Sequence, residues 1–320
     1  MQKFYKQLWR LIALALAVFW CLPAIGLAAA KKDAVQPAPV KVTVLATAGI
    51  NGRIINWDYE LTKTTDFGLV QISSLVKKER QANPYTILVD EGNMLSGSAL
   101  TSYFATQPSK LPNPMIIMYN YLDYDAIVPG DGEFAYGPGY LSKALTAAKF
   151  PALAANAYSG SSLWSAVKPY IIKEFEVGKD KKKEKIRIGI IGAATVNPAN
   201  SPQNYAGIEF KDQKTAIDAA VKHIAGKVDA IIIVTNNGLE INGVMAAAPG
   251  KFGSSLSKTE LTFEKVGKKW QLKQTATTSL YTVVAPADRA MADVAWPYHD
   301  ATLQHLQAEK KASNREKGKE

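Results

Sequence analysis

Thr86-Ile87-Leu88-Val89-Asp90, followed at once by Glu91-Gly92-Asn93, is the stretch on which the fold turns. A short apolar, β-branched run bounded by turn-forming residues reads as a buried strand. Working upstream, Leu69, Ile72, Leu75 and Val76 share one helical face, and Val42–Thr47 is a second strand, closing on Thr47-Ala48-Gly49-Ile50-Asn51-Gly52. Downstream, strands are expected at Ala126–Pro129, Ile186–Gly192 and Ala230–Thr235. Helices are expected where Tyr140, Leu141, Ala144, Leu145 and Ala148, and then Ala216, Ile217, Ala220, Val221 and Ile224, line up at helical spacing. Thr259–Lys265 and Trp270–Thr277 alternate around Gly267-Lys268-Lys269 as an antiparallel pair. Strands alternating with helices and ending in a hairpin define a layered α/β domain.

The 320 residues are 47% hydrophobic and 21% charged, values of an ordinary globular chain. The formal charge of +10 falls to +7 once residues 1–30 are left out, because Lys3, Lys6 and Arg10 face no acid there. Basic residues are scattered or terminal, without aromatic interleaving, so nucleic acid is not an expected partner. Cys21 is the single cysteine and lies in the apolar N-terminal stretch. A disulfide framework, a thiolate zinc site and a thiol nucleophile are thereby excluded. His223, His299 and His305 are expected at the surface.

Residues 1–30 read as a signal peptide: a basic start, an apolar stretch from Leu11, and Ala28-Ala29-Ala30 ahead of Lys31. The alternative is an uncleaved anchor, since the stretch is long enough to span a bilayer. Phe19 and Trp20 before Cys21 argue against lipidation there. Residues 31–39 form a polar linker, 40–285 the α/β domain, 286–308 a helical segment interrupted by Pro297, and 309–320 a frayed charged tail. Cleavage before Lys31 would place the protein in the periplasm or outside the cell, with no transmembrane segment left.

Polar loops gather at the expected strand ends: Asp90-Glu91-Gly92-Asn93, Gly130-Asp131-Gly132-Glu133-Phe134, Ala155-Asn156-Ala157 and Thr235-Asn236-Asn237-Gly238. Loops at the carboxyl ends of strands are where layered α/β folds keep their sites. Turn chemistry alone also explains such residues.

At these loops the chain resembles the secreted and periplasmic metallophosphatases that include 5′-nucleotidase, UDP-sugar hydrolase and 2′,3′-cyclic-nucleotide 2′-phosphodiesterase. The likeness runs from about Val40 to Leu306. Leu88-Val89-Asp90-Glu91-Gly92-Asn93-Met94-Leu95-Ser96-Gly97-Ser98 is similar to the family's Val-Asp-Asn-Gly-Asp-x-x-x-Gly-Ser. Gly130-Asp131-Gly132-Glu133-Phe134-Ala135-Tyr136-Gly137 is similar to Gly-Asn-His-Glu-Phe-x-Tyr-Gly, and Asn236-Asn237-Gly238-Leu239 to His-Ser-Gly-Leu. Asp58-Tyr59 and Phe67-Gly68-Leu69-Val70 resemble the cyclic phosphodiesterase branch; Pro249-Gly250-Lys251-Phe252-Gly253 and Lys269-Trp270-Gln271-Leu272 also fit. The resemblance implies a metallophosphatase-like four-layer core, two mixed β-sheets packed face to face and flanked by helices.

It also implies two divalent metals, and here the chain departs from the pattern. The positions that would hold metal carry Gly49, Asn51, Asn93, Asp131 and Asn236, with Gly132, Glu133 and Asn156 neighbouring them. One carboxylate, Asp131, and three neutral amides are a poor match for two transition-metal dications. Only Leu239–Ala248, without histidine, separates Gly238 from Pro249, where the family has a longer segment ending in Gly-His-x-His. The family's C-terminal nucleoside-binding domain is not expected either. No catalytic residue and no resident cofactor are therefore expected, beyond one hard cation such as Ca²⁺ or Mg²⁺ at Asp131. Three functions fit: a non-catalytic exported member that binds a small polar ligand or an envelope protein, a residual single-cation phosphoesterase, or a basic envelope interaction module. A vestigial cleft whose amides merely hold the loops is the plain alternative to a binding pocket.

Overall fold

The computed structural model describes residues 37–178 and 183–317, so the signal-peptide reading and most of the linker lie outside the described residues. Strands β1 (Val40–Thr47), β4 (Thr86–Asp90), β5 (Ala126–Ile127), β6 (Ala152–Leu153), β9 (Val167–Lys168), β16 (Ser255–Val266) and β17 (Lys269–Tyr281) form one sheet, in the order β17-β16-β1-β4-β5-β6-β9. From β1 to β9 neighbours are parallel, whereas β16 runs antiparallel to both β1 and β17. A second mixed sheet has the order β10-β11-β13-β14-β15, from β10 (Tyr170–Val177), β11 (Glu184–Ala193), β13 (Ala230–Thr235), β14 (Gly238–Ile241) and β15 (Val244–Met245). Small accessory sheets join β2 (Trp57–Asp58) to β3 (Lys63–Thr64), and β7 (Ala157–Ser159) to β8 (Ser162–Leu163) and β12 (Glu209–Phe210).

Alternation along the strands sorts the apolar residues into layers. Val42, Val44, Ile87 and Val89 from the seven-stranded sheet pack with Ile186, Ile188, Ile190, Ile232 and Val234 from the five-stranded one, all fully buried or nearly so. The opposite side chains of the first sheet, such as Leu45 and Leu88, join the helical core. That core is supplied by α1 (Leu69–Ala82), α2 (Ala99–Thr106), α3 (Pro114–Tyr121), the one-turn α4 (Asp131–Phe134), α5 (Gly137–Leu145) and α7 (Arg289–Lys317). On the far face of the second sheet, Ala220 and Ile224 of α6 (Gln213–Ile224) cover Ile191. Helices, sheet, sheet, helix: this is the four-layer arrangement with two mixed sheets packed face to face. Each Ile or Val so buried contributes on the order of 1.5–3 kcal/mol. The sheets approach closely at Gly192, where a Cβ would lie 2.5 Å from the Leu153 carbonyl oxygen.

Three expectations need correction. The C-terminal helix is not interrupted at Pro297, and it runs on through the charged residues to Lys317. Met291, Ala295, Tyr298, His299 and Thr302 are buried, so tertiary packing outweighs one lost backbone hydrogen bond at the proline. Residues 309–317, mostly Glu, Lys, Arg and Ala, are largely good helix formers and continue the helix with exposed side chains. His299 is not at the surface: only 4% is exposed, and its Nδ1 lies 2.9 Å from the Tyr59 hydroxyl. The short Leu239–Ala248 connection folds as the β14–β15 hairpin, with Asn242 at φ 46° in its turn.

Candidate functional site

The carboxyl ends of β1, β4, β5 and β13 bring four of the polar loops together. After Asp90 the chain turns at Gly92, whose φ of 100° favours glycine and whose missing Cβ leaves room for the Val128 carbonyl 2.5 Å away. The turn is clasped by the neighbouring loop, because the Gly49 and Asn51 amides donate to the Gly92 and Asn93 carbonyls at 2.8 and 2.9 Å.

Beneath the turn lies a buried acid. Asp90 accepts hydrogen bonds from the Thr47 hydroxyl at 2.6 Å, the Tyr119 hydroxyl at 3.0 Å and the Gly92 amide at 2.7 Å. Tyr124 bonds the same threonine at 2.7 Å, and its ring stacks on Tyr119 with centroids 4.1 Å apart. Burial pushes the Asp90 carboxyl up to about 7, with the nearby Glu133 charge adding to the rise and its hydrogen-bond donors opposing it.

Glu133 is fully buried and reaches across to the same turn. Its carboxylate accepts from the backbone amides of Asn93, Met94, Leu95 and Gly130, at 2.8, 2.6, 3.2 and 2.7 Å. Burial raises its carboxyl above the usual range, against the four amides, which favour the ionised form. Glu133 thus serves as a bracket between two loops.

The amides at the positions expected from the sequence to hold metal do similar work. Asn93 Oδ1 accepts from the Gly132 amide at 2.8 Å. Asn236 Oδ1 accepts from the Thr195 amide at 2.6 Å, while its Nδ2 donates to the Glu91 and Val128 carbonyls at 2.6 and 3.2 Å. Gly130 lies between these two side chains: a Cβ there would sit 2.9 Å from both Asn93 Oδ1 and Asn236 Nδ2. Asn51 turns its Nδ2 to the Ser96 carbonyl at 3.2 Å. Gly49 adds only backbone, and Gly132 lends its amide to Asn93. Asp131 is exposed; its Oδ1 accepts from the Asn197 amide at 2.9 Å and from the Tyr205 hydroxyl, which lies closer still. Asn156 is set apart, buried and clasping the amide and the carbonyl of Ala194, both at 2.9 Å. Asn93 and Asn236 therefore converge on one glycine turn with Asn51 beside it, whereas Asp131 faces the 197–205 loop.

This donor set does not fit a dinuclear metal centre. The oxygens of Asn93 and Asn236 already accept backbone hydrogens, and the one carboxylate at these positions is bonded by a tyrosine. Among the described residues, no group of three or more His, Cys, Asp or Glu side chains is placed to hold an ion.

Two features were not foreseen. Glu91 is only 5% exposed, and among the described residues nothing hydrogen-bonds its carboxylate. Burial, and then the neighbouring Asp90 charge, push it up to about 8, so it is largely protonated at neutral pH. An acid one place beyond the inward-facing Asp90 was the available signal, since alternation turns it toward the second sheet. Beside Asn236, a groove of about 400 Å³ is lined by residues including Gln213, Asp218, Thr235, Asn237 and Met245. Its lining comes from α6, the end of β13 and the β14–β15 hairpin; the Thr235–Gly238 loop marked one wall of it, and no motif pointed to the rest.

No protein-family profile matches the chain. It is 26% identical over 333 residues to the trifunctional nucleotide phosphoesterase YfkN of Bacillus subtilis, covering 83% of this chain and 23% of that protein. It is 37% identical over 161 residues to a 2′,3′-cyclic-nucleotide 2′-phosphodiesterase/3′-nucleotidase of Yersinia enterocolitica, covering 49% of this chain and 25% of that one. The chain thus spans about a quarter of the length of these two relatives. Among solved structures, the calcineurin-like phosphoesterase YfkN from Bacillus subtilis superposes with a TM-score of 0.73 at 23% identity, over 84% of this chain and all of that one. The fold is that of the calcineurin-like phosphoesterases. The relatives it matches include 5′-nucleotidases and 2′,3′-cyclic-nucleotide 2′-phosphodiesterase/3′-nucleotidases, the family that the loop motifs resemble.

Proposed function

We propose that this chain is an exported, non-catalytic member of that family, acting in the cell envelope as a binding or accessory protein. The carrying observation is how the amides are used: Asn93 and Asn236 spend their oxygens on backbone amides, and Asn236 spends its nitrogen as well. Water activation between two metals needs open ligand lone pairs and compensating negative charge. At those two positions this rim supplies no negative charge, and each amide oxygen already has one of its two lone pairs on a backbone hydrogen. What the rim offers instead is the groove beside Asn236, where Gln213, Asp218, Thr235 and Asn237 stand among the apolar Ile217, Ile233 and Met245, a lining suited to a small ligand with a few polar groups. An envelope protein is the other partner in keeping with this reading. Export rests on residues 1–30, and N-terminal sequencing of the secreted protein checks it, with Lys31 as the expected first residue. No helix among the described residues is long and apolar enough to cross a membrane.

The purified protein, assayed on nucleotides, cyclic nucleotides and an aryl phosphodiester with Mn²⁺, Co²⁺, Zn²⁺ or Mg²⁺, should show only background hydrolysis. Metal-dependent turnover abolished by Asp131→Ala would overturn this reading. It would instead favour a residual single-cation phosphoesterase, for which Asp131 Oδ2 is the open donor, having no hydrogen bond among the described residues. A basic interaction module predicts a third outcome, binding to anionic surfaces that falls steeply with salt.

A further inference from the structure

Among the described residues the two main sheets have four edges, and three of them are guarded against pairing with another chain. Strands β9 and β15 are two residues long. β10 carries Lys173, Glu174 and Glu176, with Glu174 paired to Lys185 and Arg187 on β11. Short edges, charges and bulges are the usual protections of an exposed strand.

The fourth edge is β17, thirteen residues long and last in its sheet. Its first part is guarded too, by Lys269, Lys273 and a bulge opposite Thr262/Phe263. From Gln274 to Tyr281 there is no charge, no proline and no bulge, and the sequence reads Gln-Thr-Ala-Thr-Thr-Ser-Leu-Tyr. Every residue of it is paired with β16 on one side only. Beyond its end the uncharged run continues into Val283 and Val284, which with Tyr281 are 66, 82 and 62% exposed.

We propose that Gln274–Tyr281 is an association edge, and that a second copy of this chain occupies it in antiparallel register. The stretch is complementary to itself. A two-fold axis at Thr277 sets Thr275 opposite Ser279, Ala276 opposite Thr278 and Lys273 opposite Tyr281. An axis at Thr278 sets Thr277 opposite Ser279, Ala276 opposite Leu280 and Thr275 opposite Tyr281. In neither does a charge face a charge, and Thr–Thr or Thr–Ser pairs are favourable cross-strand neighbours. The joined sheet would have fourteen strands, and the exposed Tyr281, Val283 and Val284 of each copy would flank the seam.

Sedimentation velocity over a micromolar to near-millimolar range tests this. A concentration-dependent species of twice the chain mass is expected. Thr278→Lys, which sets two lysines near each other across the axis, should weaken association by about tenfold or more. Thr278→Val should leave it intact. Residue 278 is exposed, so both variants should melt as the parent does. Hydrogen exchange should show the amides of Gln274–Tyr281 gaining protection as concentration rises. A monomer throughout the range overturns the proposal, even if some other protein binds the edge. So does a dimer indifferent to Thr278→Lys whose extra protection lies outside this strand.

Discussion

Two buried polar clusters in this molecule handle the same physical problem in opposite ways. At the strand ends, Asp90 and Glu133 are acids surrounded by donors: hydroxyls of Thr47 and Tyr119 for one, four backbone amides for the other. Under α7, His299 is a base with few polar neighbours. Tyr59 is its hydrogen-bond partner, and the rings of Trp57, Tyr59 and Trp296 surround it at 5.2–5.7 Å. Burial pushes the acids up and the histidine down, so the two clusters answer pH with opposite sign. The acid cluster is built from local motif turns, whereas the histidine cluster is built by docking a distant helix. That difference decides both what each is worth and what each leaves visible in the sequence.

The largest effect should come from Glu133→Ala, which strands up to four buried backbone amides at once. A loss of about 3–5 kcal/mol is expected in chemical denaturation, the range for removing one partner of a buried charged network. Glu133→Gln, which keeps acceptor capacity on one oxygen, should lose less. Equal large losses in the two variants would mean that both carboxylate oxygens are needed, since Gln keeps the shape, and a small loss in both would show that the bracket does not hold the loops. Next comes Gly92→Ala, where both the positive φ and the nearby Val128 carbonyl resist a side chain. A loss of about 2–3 kcal/mol is expected by thermal melting.

The pH dependence separates the clusters. Asp90 has a folded value of about 7, above its unfolded 3.8, so the stability linked to its proton is fully present below about pH 4 and is lost as pH rises through 7. For His299 the folded value lies below the unfolded 6.5, so its contribution is present above pH 6.5 and is lost as pH falls. Asp90→Asn should therefore flatten the decline in melting temperature between pH 4 and 8. His299→Gln should flatten the fall below pH 6.5 and leave the alkaline side alone. A histidine variant that alters the alkaline limb instead would show that the clusters are coupled.

The sequence made the scaffold legible where the chain is locally consistent. Thr86–Asp90 and Ala230–Thr235 form strands with the expected ends, because β-branched runs bounded by turn residues leave few alternatives. The Gln274–Tyr281 edge was partly visible as alternation, although its lack of an outer neighbour is a property of the whole sheet. At the candidate site the sequence identified the loops but not the assignments within them. Nothing local tells that Asp131 is taken by Tyr205, seventy-four positions on, or that Asn236 closes on Glu91 and Thr195. His299 looked like a surface residue because it lies beside Asp300 in a terminal helical segment, away from every motif position. Only its pairing with Tyr59, 240 positions away, puts it inside.

The smallest expected effect sharpens that last contrast. Tyr59→Phe removes a single hydroxyl and keeps the ring against His299, so packing is conserved while the histidine loses its hydrogen-bond partner. A neutral buried hydrogen bond contributes about 1 kcal/mol, and a little more when the remaining group is left unpaired. A loss of about 1–2 kcal/mol is expected at pH 8, where His299 is neutral in both states. The hydroxyl can donate to the neutral Nδ1, but a protonated ring has its own hydrogen there and the phenol must turn to accept it. If the bond matters chiefly through neutral histidine, the loss should shrink as pH drops toward 5. A penalty unchanged from pH 8 to 5 would mean that the hydroxyl serves the protonated ring as well as the neutral one, and no penalty at either pH would mean that the aromatic rings, and not the hydroxyl, hold His299 in place.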